Sequence, residues 1–342
     1  MTRPTIKDLA DAAGVSVSTV NRVLSDASSV RKPTRERVRH AAERIGFYGL
    51  GTIDYSIRES AEVHRLGILL QQGNRSFYRD LGAVLTEAAE DYQDGRVELV
   101  VEFLDDLSPN NVADRLLAIS GDCDAIALVA AEHPLVSEAI DTVLRAGTPV
   151  CGLVAPLSAR GNVGYIGLDH WKVGRTAAWA FDRMCRERGK IGILVGNHRY
   201  RNQDLNESGF RSYLREHNSG FTLLEPRSTF ESAAVAREMT EELFKEHPDI
   251  CGLFISGGGV TGAVGALRDI NPGKDFISVG YELIDVTRAA LIDGFLTMAI
   301  CHPMKEVARE TITALVKAKR TGPDVGAQSV TLGFEIYTSE NV

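Results

Sequence analysis

Apolar positions recur along the first fifty residues with the spacing of short helices. Ile6, Leu9, Ala10 and Ala13 fall on one side of a helical turn, and Thr5 followed by Asp8 has the form of a capping box, so a first helix is expected over 6–13. Gly14 suits the left-handed residue that ends a helix, and Ser16 suits the N-cap of a second helix carrying Val17, Val20, Val23 and Leu24. A third pattern, over 32–45, turns Val38, Ala41, Ala42 and Ile45 inward and Arg35, Arg37, Arg39 and Arg44 largely outward. Two helices joined by a glycine-containing turn make a helix-turn-helix, and the third completes a small all-α head.

The pattern changes after residue 65. β-rich runs at 66–70, 97–103, 125–129, 150–154, 191–195, 251–255, 277–281 and 296–300 alternate with helical segments at 80–91, 138–146, 174–188, 233–247 and 303–318. This alternation predicts parallel sheets with right-handed crossovers, and so many strands predict two doubly wound lobes. Ligands of such sheets bind beyond the carboxyl ends of the strands, here in the cleft between lobes.

Composition adds limits. A chain of 342 residues suits two or three domains, and 44% hydrophobic with 25% charged residues is ordinary for a globular protein. No apolar run approaches the ~20 residues of a membrane span, and the N-terminal pattern lacks the apolar core of a signal peptide, so a cytoplasmic protein is expected. The five cysteines Cys123, Cys151, Cys185, Cys251 and Cys301 form an odd set without a C-x-x-C pair, which fits reduced thiols packed in cores. Residues 1–50 hold nine Lys/Arg against five Asp/Glu, although the whole chain carries a net charge of -8. A basic head on an acidic body suits nucleic acid at one end only.

In a helix-turn-helix the second helix enters the major groove. Its leading residues here are Val17, Ser18, Asn21 and Arg22. Asn pairs with adenine, Arg with guanine or phosphate, Ser donates or accepts, and Val meets a thymine methyl. The bland alternative is a solvated helix face, and the Ala-Gly-Val-Ser turn at 13–16 argues against it.

The head, from Thr5 through Leu24, then Thr34 to Val38 and Ile45 to Tyr48, resembles the headpiece of the lac repressor/galactose repressor family without a gap over about 48 residues. The resemblance implies DNA contacts from Thr5, Ser16, Val17, Ser18, Asn21, Arg22, Arg31 and Arg35. Asn21 departs from the Ser of many members. It also implies a hinge at 49–64, where the family forms a short helix whose Leu wedges into the minor groove; the segment carries Gly49 and Gly51 and lacks the family's Pro, Asn and Arg, leaving Ile57 as the candidate wedge and Ile53 next.

The body, 65–342, resembles the type I periplasmic-binding-protein fold that this family uses as its effector domain. That implies three crossings between lobes, expected near 155–165, 283–294 and 322–330. The effector positions carried over are Asn74, Phe77 and Tyr78 after the first strand, Asp169 and Trp171, Asn206 where the family usually has Arg, Gly258 where it has an Asn-Asp pair, Glu282, and His302. With no Arg at Asn206, and with acceptors at Asp169 and Glu282, a neutral sugar or polyol is expected rather than an anion, unless Arg199 or Arg201 swings inward. The implied protein is a homodimeric repressor on a pseudo-palindromic operator, with pairing into tetramers left open and no cofactor, metal or membrane partner.

Two other readings compete. The loop 257–262 fits GxGxxG, follows a strand, opens a helix and is followed by Glu282, as in a nucleotide-dependent oxidoreductase. A lone GxGxxG this late in the chain is weak, and the glycines equally tighten a turn or make room. A transport binding protein would leave the head unexplained. His133, His170, His198 and His302 have neither a nucleophile motif nor zinc spacing, so no catalytic set is expected.

Overall fold

The computed structural model describes residues 3–60, 62–323 and 327–342. The chain folds into two compact units, one of residues up to Arg65 together with Ala89–Glu98 and one of Leu66–Ala88 with Leu99–Val342.

In the first unit, α1 (Ile6–Ala13), α2 (Val17–Ser25) and α3 (Lys32–Ile45) fall at the expected positions because their ends are locally encoded. Thr5 and Asp8 close a full capping box, Ser16 accepts from the Thr19 N–H, and Gly14 and Gly46 both adopt φ +65° to end α1 and α3. A fourth helix, α4 (Leu50–Glu59), lies in the segment where the resemblance implies a short hinge helix. Ile53 is fully buried in the head's core with Leu9, Val20, Val23 and Phe47, and Leu50 and Ile57 pack at its edge. The Ser56 hydroxyl accepts from the Ala27 N–H, and Arg39 pairs with Asp54 at 2.8 Å. Gly49 has a steric role, since a Cβ there would lie 2.7 Å from the Phe47 ring. The expected hinge segment is thus largely helical, and Ile53, the second candidate wedge, is a core residue of the head.

The second unit has two lobes. The first lobe is built on β1 (Val63–Gln71), β2 (Arg96–Leu104), β3 (Ala125–Leu128), β4 (Val150–Leu153) and β5 (Gly164–Leu168), with α5 (Ser76–Glu90), α6 (Pro109–Ser120) and α7 (Pro134–Arg145) between them. The second is built on β6 (Lys190–Val195), β7 (Thr222–Leu223), β8 (Arg227–Ser228), β9 (Ile250–Ile255), β10 (Ile277–Tyr281) and β11 (Met298–Cys301). Its helices are α8 (His170–Met184), α9 (Arg201–Glu216), α10 (Ala233–Glu246), α11 (Val260–Ile270) and α12 (Asp285–Ile292). The chain then returns through α13 (Met304–Thr321), β12 (Ser329–Leu332) and β13 (Glu335–Tyr337). The strand orders are β12-β5-β4-β3-β1-β2 and β13-β11-β10-β9-β6-β7. Each order reverses beside the lobe's first strand, at β1/β3 and at β6/β9, which opens a crevice at the strands' carboxyl ends.

The crossings lie later than expected. β5 occupies the end of the first expected crossing and extends the first sheet beside β4, so the chain leaves that lobe at 168–170. It returns at 301–304, because α13 packs on β3 and β5, and crosses last at 332–335, because β12 pairs with β5 whereas β13 runs antiparallel to β11. The expected third crossing includes 324–326, outside the described residues. For the first and last crossings the cause is that β5, β12 and β13 are short, and Gly164, Gly167 and the half-exposed tail strands carry no strong apolar pattern; the second lies later because α12 and β11 still belong to the second lobe.

The second lobe depends on a close helix pair. A Cβ at Gly174 of α8 would sit 1.9 Å from the Asn206 carbonyl oxygen, and one at Gly209 of α9 would sit 2.3 Å from that of Trp171. The approach lets Phe181, Phe210 and Phe254 pack together, with Phe210 stacked on Phe254 at 4.7 Å. Gly174→Ala should lower stability by about 1 to 3 kcal/mol or more, the range for overpacking a tight contact. Urea unfolding measures it, and an unchanged midpoint would refute the close-approach account.

Candidate functional site

Two surfaces carry chemistry. On α2, Val17, Ser18, Asn21 and Arg22 are exposed within one arc of the helix while Val20 and Val23 are buried on the other. Val17 is 44% exposed on the same arc. Ser16 is committed to its cap and to hydrogen bonds with Ser18 and Thr19, each 2.9 Å. Thr5 is likewise bound to Asp8. Arg31 is exposed at the start of α3, whereas Arg35 is half-buried and donates to Ser60 at 2.8 Å. Ile57, the candidate wedge, lies half-buried against the head's core.

The second surface is the crevice of the two-lobed unit, a cavity of about 330 Å³. Asn74, Phe77, Tyr78, Gly258 and Glu282 all line it, and they come from the carboxyl ends of β1, β9 and β10 as the topology requires. Asn202 and Ser256 line it too, and the Asn202 Oδ1 and Ser256 Oγ are buried without a hydrogen-bond partner. Buried polar atoms are nearly always paired, so unpaired ones on residues that line a cavity suit a polar ligand. Burial, with Glu231 nearby, pushes the Tyr78 phenol well above its ordinary value, which keeps it a hydrogen-bond donor at any physiological pH.

Four carried-over positions do other work. Asp169 caps α8 by accepting from the Lys172 N–H, and Trp171 points outward at 41% exposure. Asn206 is fully buried and its amide faces the His170 backbone oxygen and ring. His302 lies behind the crevice wall, where its Nδ1 and its backbone N–H both donate to the Glu282 carboxylate. His170 is a strut: Nε2 donates to the Val154 carbonyl at 2.8 Å, and Nδ1 accepts from the Tyr281 hydroxyl at 3.3 Å. Burial, reinforced by His302, lowers its pKa from 6.5 to about 4.

Two important residues carry no signal in the sequence. Arg75 from the first lobe meets Glu231 from the second, Nη1 to Oε2 at 2.9 Å and Nη2 to the Glu231 carbonyl at 3.1 Å. Gln203 donates to the other carboxylate oxygen at 2.7 Å. The glycine-rich loop makes this possible: a Cβ at Gly257 would strike Gln203 at 2.2 Å, and one at Gly258 would strike Glu231 at 1.7 Å. Gly262 instead admits the backbone of α10, with its Cβ position 1.7 Å from the Ala233 carbonyl oxygen. The loop is thus filled by the protein's own carboxylate and amide, and the dinucleotide reading is not supported.

Backbone strain gathers at the same place. Val154, Glu231 and Glu282 line the crevice at φ +64°, +61° and +65°, and Phe230 beside Glu231 is at +50°. A left-handed backbone costs roughly 1 to 2 kcal/mol per non-glycine residue, most for a β-branched one, and persists where the surroundings impose it.

Comparison with known proteins fits these two surfaces. Residues 5–49 match the family described as bacterial regulatory proteins, lacI family, and residues 66–322 match the periplasmic binding protein domain. The chain is a transcriptional regulator of the LacI family. The ribose operon repressor of Bacillus subtilis is 26% identical over 328 residues, 91% of this regulator and 90% of the relative. The maltose regulon regulatory protein MalI of Escherichia coli is 41% identical over 86 residues, 25% of each chain. A periplasmic solute binding protein from Actinobacillus succinogenes with bound D-allose shares the fold at TM-score 0.72 and 17% identity, covering 81% of the regulator and 98% of that chain. Among the described residues no helix of the regulator is long and apolar enough to cross a membrane.

His170 sets a pH dependence. Its folded pKa lies below the unfolded value of 6.5, so the unfolded chain takes up the proton first and stability falls as pH drops from about 6.5 toward 4. The full effect is on the order of 3 kcal/mol. Urea unfolding at pH 7 and pH 5 should show the loss, and His170→Gln should flatten that slope; an unchanged slope would remove His170 as its source.

Proposed function

We propose that the regulator is a cytoplasmic, homodimeric repressor whose operator affinity is set by a carbohydrate-type effector, a sugar or polyol, closed between the two lobes. The observation that carries the effector assignment is the pair of unpartnered buried oxygens of Asn202 and Ser256 beside Phe77 and Tyr78. Ring faces suit the C–H surface of a sugar, and unpaired acceptors suit its hydroxyls. The printed names of its relatives, a ribose operon repressor and a maltose regulon regulator, support the same class. In this reading the protein performs no reaction: ligand binding changes lobe closure, and coupling of about 1 to 3 kcal/mol between effector and operator suffices for regulation.

Two heads of one dimer would address the two halves of a pseudo-palindromic site. Val17, Ser18, Asn21 and Arg22 are the base-reading side chains, with Ser16 and Thr5 near the backbone and Arg31 a phosphate contact. Arg35 contributes only by leaving Ser60. Ile57 would reach the minor groove only if α4 shifts on the head.

Asn21→Ala should weaken specific binding by about 1 to 3 kcal/mol and relax preference at one base pair, whereas Arg31→Ala should weaken all sequences alike. Fluorescence anisotropy on operator and random duplexes separates the two; equal losses on both for Asn21→Ala would reject its role. Deleting residues 1–60 should abolish operator binding and leave a body that a thermal-shift screen of sugars and polyols can still stabilise. A truncated protein that retards operator DNA would overturn the division of labour.

A further inference from the structure

The crevice contains a carboxylate receptor already filled by the protein itself. We infer that the Arg75 guanidinium and the Gln203 amide form the binding site for a carboxylate on the effector, that Glu231 occupies it in the ligand-free protein, and that the effector is a polyhydroxy carboxylic acid. The inference rests on the carbohydrate reading above and narrows its class.

The geometry is that of a ligand complex rather than of a surface ion pair. Two guanidinium nitrogens and one side-chain amide converge on a single residue, and Glu231 retains only 12% of its side-chain exposure. Gly196 and Gly258 are cut back so that the carboxylate fits, since a Cβ at Gly196 would lie 1.9 Å from it. The carboxylate itself takes one charge-assisted donor, Arg75 Nη1, on one oxygen and one amide donor, Gln203 Nε2, on the other, while Arg75 Nη2 holds the Glu231 backbone carbonyl; a donor for each oxygen suits a carboxylate.

A neutral hydroxyl is a poor competitor for this place. Separating Arg75 from Glu231 leaves both charges uncompensated in a crevice, and a hydroxyl restores neither. A ligand carboxylate restores the partner of Arg75, and Glu231 has somewhere to go. Its loop already holds two successive side chains in the left-handed region, and the adjoining Phe230 is 71% exposed, so a backbone relaxation that carries Glu231 outward relieves strain and leads to water. The remaining polar atoms, Asn202 Oδ1 and Ser256 Oγ, are acceptors for hydroxyls further along the same molecule. Arg75, not Arg199 or Arg201, is then the cation that reverses the expectation of a neutral ligand.

The test is calorimetry on the full-length protein with D-gluconate and acetate as carboxylate probes and D-glucose and D-sorbitol as neutral ones. Glu231→Gln keeps the shape and removes the internal competitor. It should bind both carboxylates at least ~tenfold more tightly than wild type, with no gain for the neutral probes, and Arg75→Gln should lose that gain. Operator binding by both variants checks that they are folded. Unchanged carboxylate affinity in Glu231→Gln, or no carboxylate binding at all, would overturn the inference. Tight neutral-sugar binding by wild type that weakens in Glu231→Gln would also overturn it, by making Glu231 a hydroxyl acceptor, while leaving the carbohydrate effector itself intact.

Discussion

A guanidinium on one lobe and a carboxylate on the other meet across the crevice, and much of the local sequence is what that meeting requires. Arg75 sits directly after the first strand, where the reversal of strand order opens the sheet. Glu231 sits before α10 on a backbone that few side chains tolerate. Gly196, Gly257 and Gly258 withdraw from the space, and Gln203 of α9 fixes the second carboxylate oxygen. Removing either charge would leave the other partly buried without its counter-charge, so the lobes are held in register by electrostatics as well as by three chain crossings.

The strain at Val154 and Glu282 belongs to the same pattern. Each residue ends a central strand of its lobe, and each turns its backbone so that a polar atom faces inward: the Val154 carbonyl receives His170, and the Glu282 carboxylate receives His302. These contacts tie the first-lobe strand end to the second lobe through a neutral, fully engaged imidazole. A crevice that must change shape is thereby bounded by groups whose positions are over-determined.

The head was legible in the sequence almost residue by residue, since Thr5, Gly14, Ser16 and Gly46 fix helix ends through interactions within a few positions. For helix α4 only the resemblance pointed to a short helix, and its packing was not legible, because Ile53 joins the distant Leu9 and Val20 in one core, which no local pattern reports. The alternation of strands and helices announced two doubly wound lobes, yet the crossings were misplaced where short strands such as β5 and β12 lack an apolar signature. In the crevice, positions tied to strand ends, such as Phe77, Tyr78 and Glu282, were recoverable. Asp169, Asn206 and His302 were carried over by their place in a motif, and the structure assigns them to a helix cap, a buried bond network and the wall. Arg75 and Glu231 stand 156 positions apart in the chain, and only the folded topology brings them together.

The cut-back glycines also constrain how this pocket can evolve. A side chain at 258 is incompatible with Glu231, one at 257 with Gln203, and one at 196 with both. None of these positions can change alone without displacing the Glu231 or Gln203 head group, so a new side chain there would alter the Arg75–Glu231 contact as well as the shape of the pocket. Shape and charge are therefore coupled in this loop: an Asn or Asp at 258 would push the Glu231 carboxylate aside and leave Arg75 with no internal counter-charge.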